Sequence, residues 1–173
     1  MRKVEVKPYN ETWFSMFEEE ANELHEIFGP EIIEIHHIGS TSVNGLQAKP
    51  IIDIMPVVRD INRIDEFNTA MYTIGYESKG ENGIFGRRYF QKGGDNRTHH
   101  VHIYELDNPE IERHLAFRDY LRVHPDGAKK YGDLKEELSQ RFPYEIESYI
   151  KGKDQLALEI ERKAVAWYRS LRA

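Results

Sequence analysis

The sequence predicts an α+β (α/β) fold: a mixed β-sheet with flanking helices and a helical C-terminal cap, in one domain over residues 1–173. Three observations carry this. Two short apolar runs, Ile32–Ile38 and Ile51–Ile54, have the length and composition of buried strands. Apolar residues recur at helical spacing before the first run and after the second. From Asp107 onward the pattern is helical.

A chain of 173 residues falls in the range of one domain, and a domain of that size buries roughly 70% of its unfolded surface. Cysteine is absent, which excludes disulfides, thiolate metal sites and cysteine nucleophiles and fits a reducing compartment. No stretch approaches the ~20 apolar residues that span a bilayer. The expectation is a soluble cytoplasmic protein with no membrane partner. Net charge is −6 with both signs interspersed, so the overall field does not attract nucleic acid, and only a local basic patch would.

In chain order, Val4–Pro8 alternates as an edge strand does. Asn10 is placed as the N-cap of a first helix, with Trp13, Phe17, Leu24 and Phe28 on its apolar face and Gly29-Pro30 ending it. The two apolar runs follow as strands around a polar turn. Ile61–Ile74 reads as a second helix with Ile64, Phe67, Met71 and Ile74 on one face, stopped by Gly75. Glycines 80, 83 and 86 suggest a hairpin-like excursion before RRYFQK, a strand, and GGDNRT leads into HHVHIYE, another. Asn108 before Pro109 is an N-cap with proline at the first helical position. Helices are expected over Pro109–Val123, Asp126–Arg141 and Gln155–Leu171. Tyr144–Gly152 is a connection of open conformation, and Tyr149, Lys151, Lys153 and Asp154 form a polar connection that reads as a solvated loop or as a lid.

The chemistry concentrates in Ile32–Pro56, IIEIHHIGSTSVNGLQAKPIIDIMP. Gly39, Ser40, Thr41 and Ser42 offer amide and hydroxyl donors around a turn, an arrangement that suits an anion such as phosphate. The alternative is that they only cap a short helix. The glycines at 39 and 45 lack Walker-loop spacing, and no serine lies in a G-x-S-x-G elbow. Asp53 stands in an otherwise apolar strand, where a carboxylate needs a cation, a metal or hydrogen-bond donors. Lys49 is one candidate partner; otherwise Asp53 faces a cleft at the strand end.

The run from His37 to Ile54 resembles the signature of the GrpB family, an uncharacterised protein family. Tyr9/Trp13/Phe17, Arg87-Arg88, His99-His100-Val101-His102 and the H-L-A-F-R-D-Y-L run from His114 extend the resemblance over most of the chain. It implies membership of the nucleotidyltransferase superfamily, with a small mixed sheet flanked by helices. In that superfamily a Gly-Ser turn binds nucleotide phosphates and strand carboxylates hold divalent metal. It also implies a link to dephospho-CoA kinase, to which GrpB-like domains are fused and whose folding they are suggested to assist. Carried over, Gly39 and Ser40 match the turn and Asp53 one carboxylate. Strand neighbours on the face of Asp53 are Ile51 and Met55, so the second carboxylate is missing.

His100 and His102 share a strand face by alternation, with Val101 and Ile103 toward the core, and Glu105 falls on the Val101 side. Beside Asp53 these imidazoles suit zinc, manganese or iron better than magnesium; the alternative is hydrogen-bonded histidines in a polar cleft. His36 and His37 alternate, so at most one faces that cleft. Arg87 and Arg88 point to opposite faces, one as a phosphate clamp or both in surface ion pairs. Three functions follow as expectations. The first is binding of a nucleotide or phosphorylated small molecule, with metal-dependent nucleotidyl transfer as its chemistry. The others are a non-catalytic binding or folding partner and a histidine-based metallohydrolase.

Overall fold

The computed structural model, which describes residues 2–172, joins five strands in one sheet. These are β1 (Ile32–Ile38), β2 (Ile52–Val58), β3 (Tyr76–Ser78), β4 (Arg87–Lys92) and β5 (His99–Glu105), in the order β1-β2-β5-β4-β3. The sheet is mixed, since β2 and β5 run parallel while β1/β2, β4/β5 and β3/β4 are antiparallel. The helices are α1 (Thr12–Phe28), α2 (Asn68–Thr73), α3 (Pro109–Val123), α4 (Pro125–Arg141) and α5 (Ile146–Ser170). Among the described residues, no helix is long and apolar enough to cross a membrane.

The chain divides into two compact units. One comprises residues 12–38 and 51–111, the other residues 1–11, 39–50 and 112–173. In the sheet unit, α1 packs on β1 and β2 through the buried side chains Trp13, Ala21, Leu24 and Phe28. Strand alternation divides β5: Val101 and Ile103 are fully buried, and His99 turns toward Glu20 of α1, 3.9 Å away. His100 and His102 therefore face away from α1. On β4, Lys92 reaches Glu20 at 2.6 Å and Arg88 reaches Asp65, so Arg87, Tyr89 and Gln91 lie on the histidine side.

The helical unit is assembled around three apolar clusters. Val43 and Leu46 pack with Leu121, Tyr131 and Ile160. Val4, Leu138 and Tyr149 form a second, and Ala116, Ala164 and Tyr168 a third. The start of α3 follows the sequence signal, with the Asn108 carboxamide oxygen accepting from the Glu110 amide at 2.9 Å.

Four local expectations are corrected. Val4–Pro8 forms only an isolated bridge, Lys7 to Ala48, because no neighbouring strand extends the ladder. α1 begins at Thr12, two residues beyond Asn10. Ile61–Ile74 divides into a 3₁₀ segment, Ile61–Phe67, and the short α2, with Asp60 capping the first through the Asn62 amide. Finally, α5 starts at Ile146, so Tyr149, Lys151, Lys153 and Asp154 are helical rather than a loop or lid. Tyr149 is fully buried against Val4 and Leu138, and that burial extends the helix through a polar run.

Candidate functional site

The parallel register of β2 and β5 sets Asp53 opposite His100. Because side chains two apart share a strand face, His102 joins them. His100 Nδ1 lies 3.3 Å and His102 Nε2 3.0 Å from the same oxygen, Asp53 Oδ1. One donor atom from each residue falls within 4.8 Å of the others. The side chains of Asp53, His100 and His102 are 26%, 18% and 13% exposed, so solvent still reaches the group. The ring of Tyr89 flanks both imidazoles, with centroids 5.6 and 5.3 Å away.

Burial works to raise the pKa of Asp53, and hydrogen bonds from His100 and His102 outweigh it, holding the carboxyl well below its ordinary range. His100 is lowered, chiefly by burial, with His102 and Arg97 adding to the effect against the pull of Asp53. A neutral imidazole beside an ionised carboxylate is the result.

Two guanidinium groups close the ends of this row. Arg97 Nη1 is 3.1 Å from His100 Nε2, and Arg97 Nε donates to the Gly94 carbonyl at 3.0 Å. Arg87 Nη1 is 3.5 Å from His102 Nδ1, while its Nε and Nη2 donate to the carbonyls of Glu81 and Asn82. Arg87 also lies over the Tyr89 ring. Arg88, on the opposite face, pairs with Asp65 at 2.8 Å. His37 stacks on Phe17 and His36 pairs with Glu34, so neither belongs to the row. Glu105 accepts from the Ile61 amide and is likewise elsewhere.

The glycine turn belongs to the helical unit. Gly39 has φ +74°, a conformation that side chains resist, and the 3₁₀ turn Ser40–Ser42 follows it. The Ser42 hydroxyl donates to the Gly39 carbonyl and closes the turn, and Thr41 and Ser42 are buried. Lys49 sits 5.3 Å from the centre of the Tyr149 ring. Arg122 Nε donates to the Ser42 carbonyl at 3.0 Å. Its pKa is lowered by burial and then by the neighbouring Arg118. Arg118 is itself paired with Asp119 at 2.8 Å, so Arg122 is the guanidinium that stands against this turn. Sequence reasoning singled out neither Arg97 nor Arg118 and Arg122. The arginines of α3 carry a signal only as an i, i+4 pair on a helix face.

As a donor set, one carboxylate and two imidazoles fit a single divalent transition ion. Ligand atoms ~2.0–2.2 Å from a tetrahedral ion stand about 3.3–3.6 Å apart, and the separations from Asp53, 3.3 and 3.0 Å, lie at the lower edge of that span and just below it. The set does not fit a pair of magnesium ions, which want bridging carboxylates. Met55 is fully buried and Ile51 nearly so where a second acid would stand.

Comparison with known proteins gives the fold its relatives. UPF0157 protein YqkA of Bacillus subtilis is 56% identical over 166 residues, covering 96% of this chain and 48% of that protein, so the chain spans about half of this relative's length. A dephospho-CoA kinase of Mycolicibacterium paratuberculosis is 23% identical over 189 residues, covering 95% of this chain and 46% of the kinase. The crystal structure of conserved protein GrpB from Enterococcus faecalis superposes with a TM-score of 0.92 at 47% identity, over 95% of this chain and 99% of that one. Cid1 poly(U) polymerase, in a structure with MgGTP bound, reaches 0.53 at 16% identity over 79% of this chain and 45% of that one, a likeness of fold alone. The five-stranded mixed sheet with its flanking helices is thus a nucleotidyltransferase-like α+β fold. The sequence model described as GrpB protein matches residues 3–163, and with these relatives it establishes that the chain belongs to the GrpB family.

Proposed function

We propose that this GrpB-family chain binds a nucleotide or other phosphorylated ligand and holds a divalent transition-metal ion on Asp53, His100 and His102. The convergence of the three donor atoms carries the reading. A cation held there would neutralise charge on a phosphoryl oxygen. Arg87 and Arg97 add positive charge on the same face of the sheet. The Gly39, Ser40, Thr41 and Ser42 turn, with Lys49, is a second anion-binding element of the proposal, and Arg122, donating to the Ser42 carbonyl, supplies charge that favours it. Nucleotidyl transfer is the chemistry that the fold suggests, in a cytoplasmic setting.

Calorimetric titration with Mn²⁺ and ATP tests this. Asp53→Asn keeps the shape of the side chain and removes its charge, so metal-dependent nucleotide binding should weaken by about 100-fold or more. Unchanged binding by a variant with a native circular dichroism spectrum would overturn the role of Asp53.

A second reading is favoured by one observation. With buried Ile51 and Met55 in place of further carboxylates, the chain has the form of a binding or folding partner that has shed catalysis, and the similarity to a dephospho-CoA kinase names the candidate partner. Pull-down with that kinase and its refolding yield would decide; no association and no gain in yield count against it.

A further inference from the structure

We propose that Arg97 exchanges between the His100 ring and an anionic ligand, so that a phosphate-like anion and a divalent metal bind this face cooperatively. The proposal rests on the cation reading above and deepens it.

A guanidinium has donors only. Facing Arg97 Nη1 at 3.1 Å, His100 Nε2 must therefore accept, which leaves its proton on Nδ1, directed at Asp53. The same reasoning puts the His102 proton on Nε2, since Nδ1 faces Arg87. Both rings thus give hydrogen bonds to Asp53 and turn their lone pairs outward. A metal on the Asp53 side needs the opposite arrangement. The His100 proton must sit on Nε2, where it would meet an arginine N–H, two donors face to face. Metal-bound imidazoles instead give their outer N–H to a carboxylate, a carbonyl or water. The ring keeps the same number of protons throughout, so no titration is involved.

Arg97 must therefore leave before the metal tautomer forms. Its hydrogen-bonded tether is slight: one bond to the Gly94 carbonyl and one to His100, with no hydrogen-bond partner for Nη2 among the described residues and the electrostatic attraction of Glu77 besides. A phosphate-class oxyanion is the ligand that a guanidinium fork matches. An anion that draws Arg97 away makes room for the metal tautomer, and by reciprocity the metal favours the anion. Arg87 is pinned by two carbonyls and stands at the outer limit of hydrogen bonding, so it needs only a small shift.

The test is Co²⁺ affinity, by calorimetry and visible absorption, of the wild type and Arg97→Gln in chloride and in sulfate at equal ionic strength. Glutamine offers a carbonyl to the outer nitrogen. The variant should bind Co²⁺ about tenfold more tightly or better. Sulfate should tighten the wild type about threefold or more through the linkage and leave the variant unchanged. Nitrogen-15 spectra of the metal-free wild type should show His100 as the Nδ1–H tautomer. Equal Co²⁺ affinities, a sulfate effect that survives in the variant, or an Nε2–H tautomer would each overturn the proposal. If neither protein binds Co²⁺, the cation reading falls and the coupling with it; equal binding removes the coupling alone.

Discussion

Glu20 is the acid most deeply committed to the scaffold, and Glu20→Gln measures what it contributes. Its Oε1 accepts from Lys92 Nζ at 2.6 Å and from Tyr76 Oη at 2.8 Å, joining α1 to β4 and β3. The side chains of Glu20 and Lys92 are only 10% and 22% exposed, so this pair escapes the screening that makes surface ion pairs nearly worthless. Burial and the Glu20 charge push the Tyr76 pKa up, which keeps its hydroxyl a donor. Glutamine retains an acceptor for Tyr76 and removes the charge opposite Lys92. A charge-assisted hydrogen bond contributes about 1.5–3 kcal/mol, and removing one partner of a fully buried pair costs about 3–5 kcal/mol. With Lys92 one-fifth exposed, the lower range applies, and about 2 kcal/mol is expected for Glu20→Gln. Glu20→Ala also strands the Tyr76 hydroxyl and should reach roughly 4 kcal/mol. At about 2–4 °C per kcal/mol for a chain of this size, thermal melts at pH 7 should fall by roughly 4–8 °C for glutamine and further for alanine. A glutamine variant within about 1 °C of wild type would refute the reasoning, because the pair would then behave as a surface one.

Stability should also depend on pH below neutrality. His99 and His100 are both lowered from 6.5, chiefly by burial, so below that pH the unfolded chain takes up more protons than the folded one and stability drains away. Asp53, lowered from an ordinary value of 3.8, extends the loss further into acid. Melting temperatures should be level above about pH 7 and decline below about 6.5; a profile still level at about pH 5 contradicts this. Gly93→Ala addresses the loop that carries Arg97. Gly93 has φ +105°, and an added Cβ would stand 2.3 Å from the backbone oxygen of Asn96. A loss of at least ~2 kcal/mol is expected in urea unfolding, and an unchanged urea midpoint would show that the loop accommodates a side chain there.

Much of the fold was legible because its signals are local. β4 and β5 coincide with RRYFQK and HHVHIYE, where alternation is clear, and α3 starts at its proline after an asparagine cap. Where the signal depended on distant partners it failed. The first turns of α5 carry Tyr149, Lys151 and Lys153, polar enough to read as a loop until Tyr149 meets Val4 and Leu138. The Val4–Pro8 segment alternates like a strand, yet strand formation requires a paired ladder, and among the described residues it makes an isolated bridge from Lys7 to Ala48 and a backbone bond from Val4 to Pro143.

The candidate site divides along the same line. By itself, the sequence determined that His100 and His102 share a face, that Asp53 is an acid in an apolar strand, and that Arg87 and Arg88 diverge. The first and last follow from the two-residue period of a strand, a property of the backbone alone, and the second from the apolar composition around Asp53. Tertiary structure alone decided that Asp53 stands opposite His100, because register between β2 and β5 is chosen by packing across the sheet. It also decided that Arg97 and Arg87 close the row and that Glu20 holds Lys92 on the other face. Asp53 lies 47 positions before His100 and 49 before His102. No period in the chain spans that interval, so only the folded sheet brings the three together.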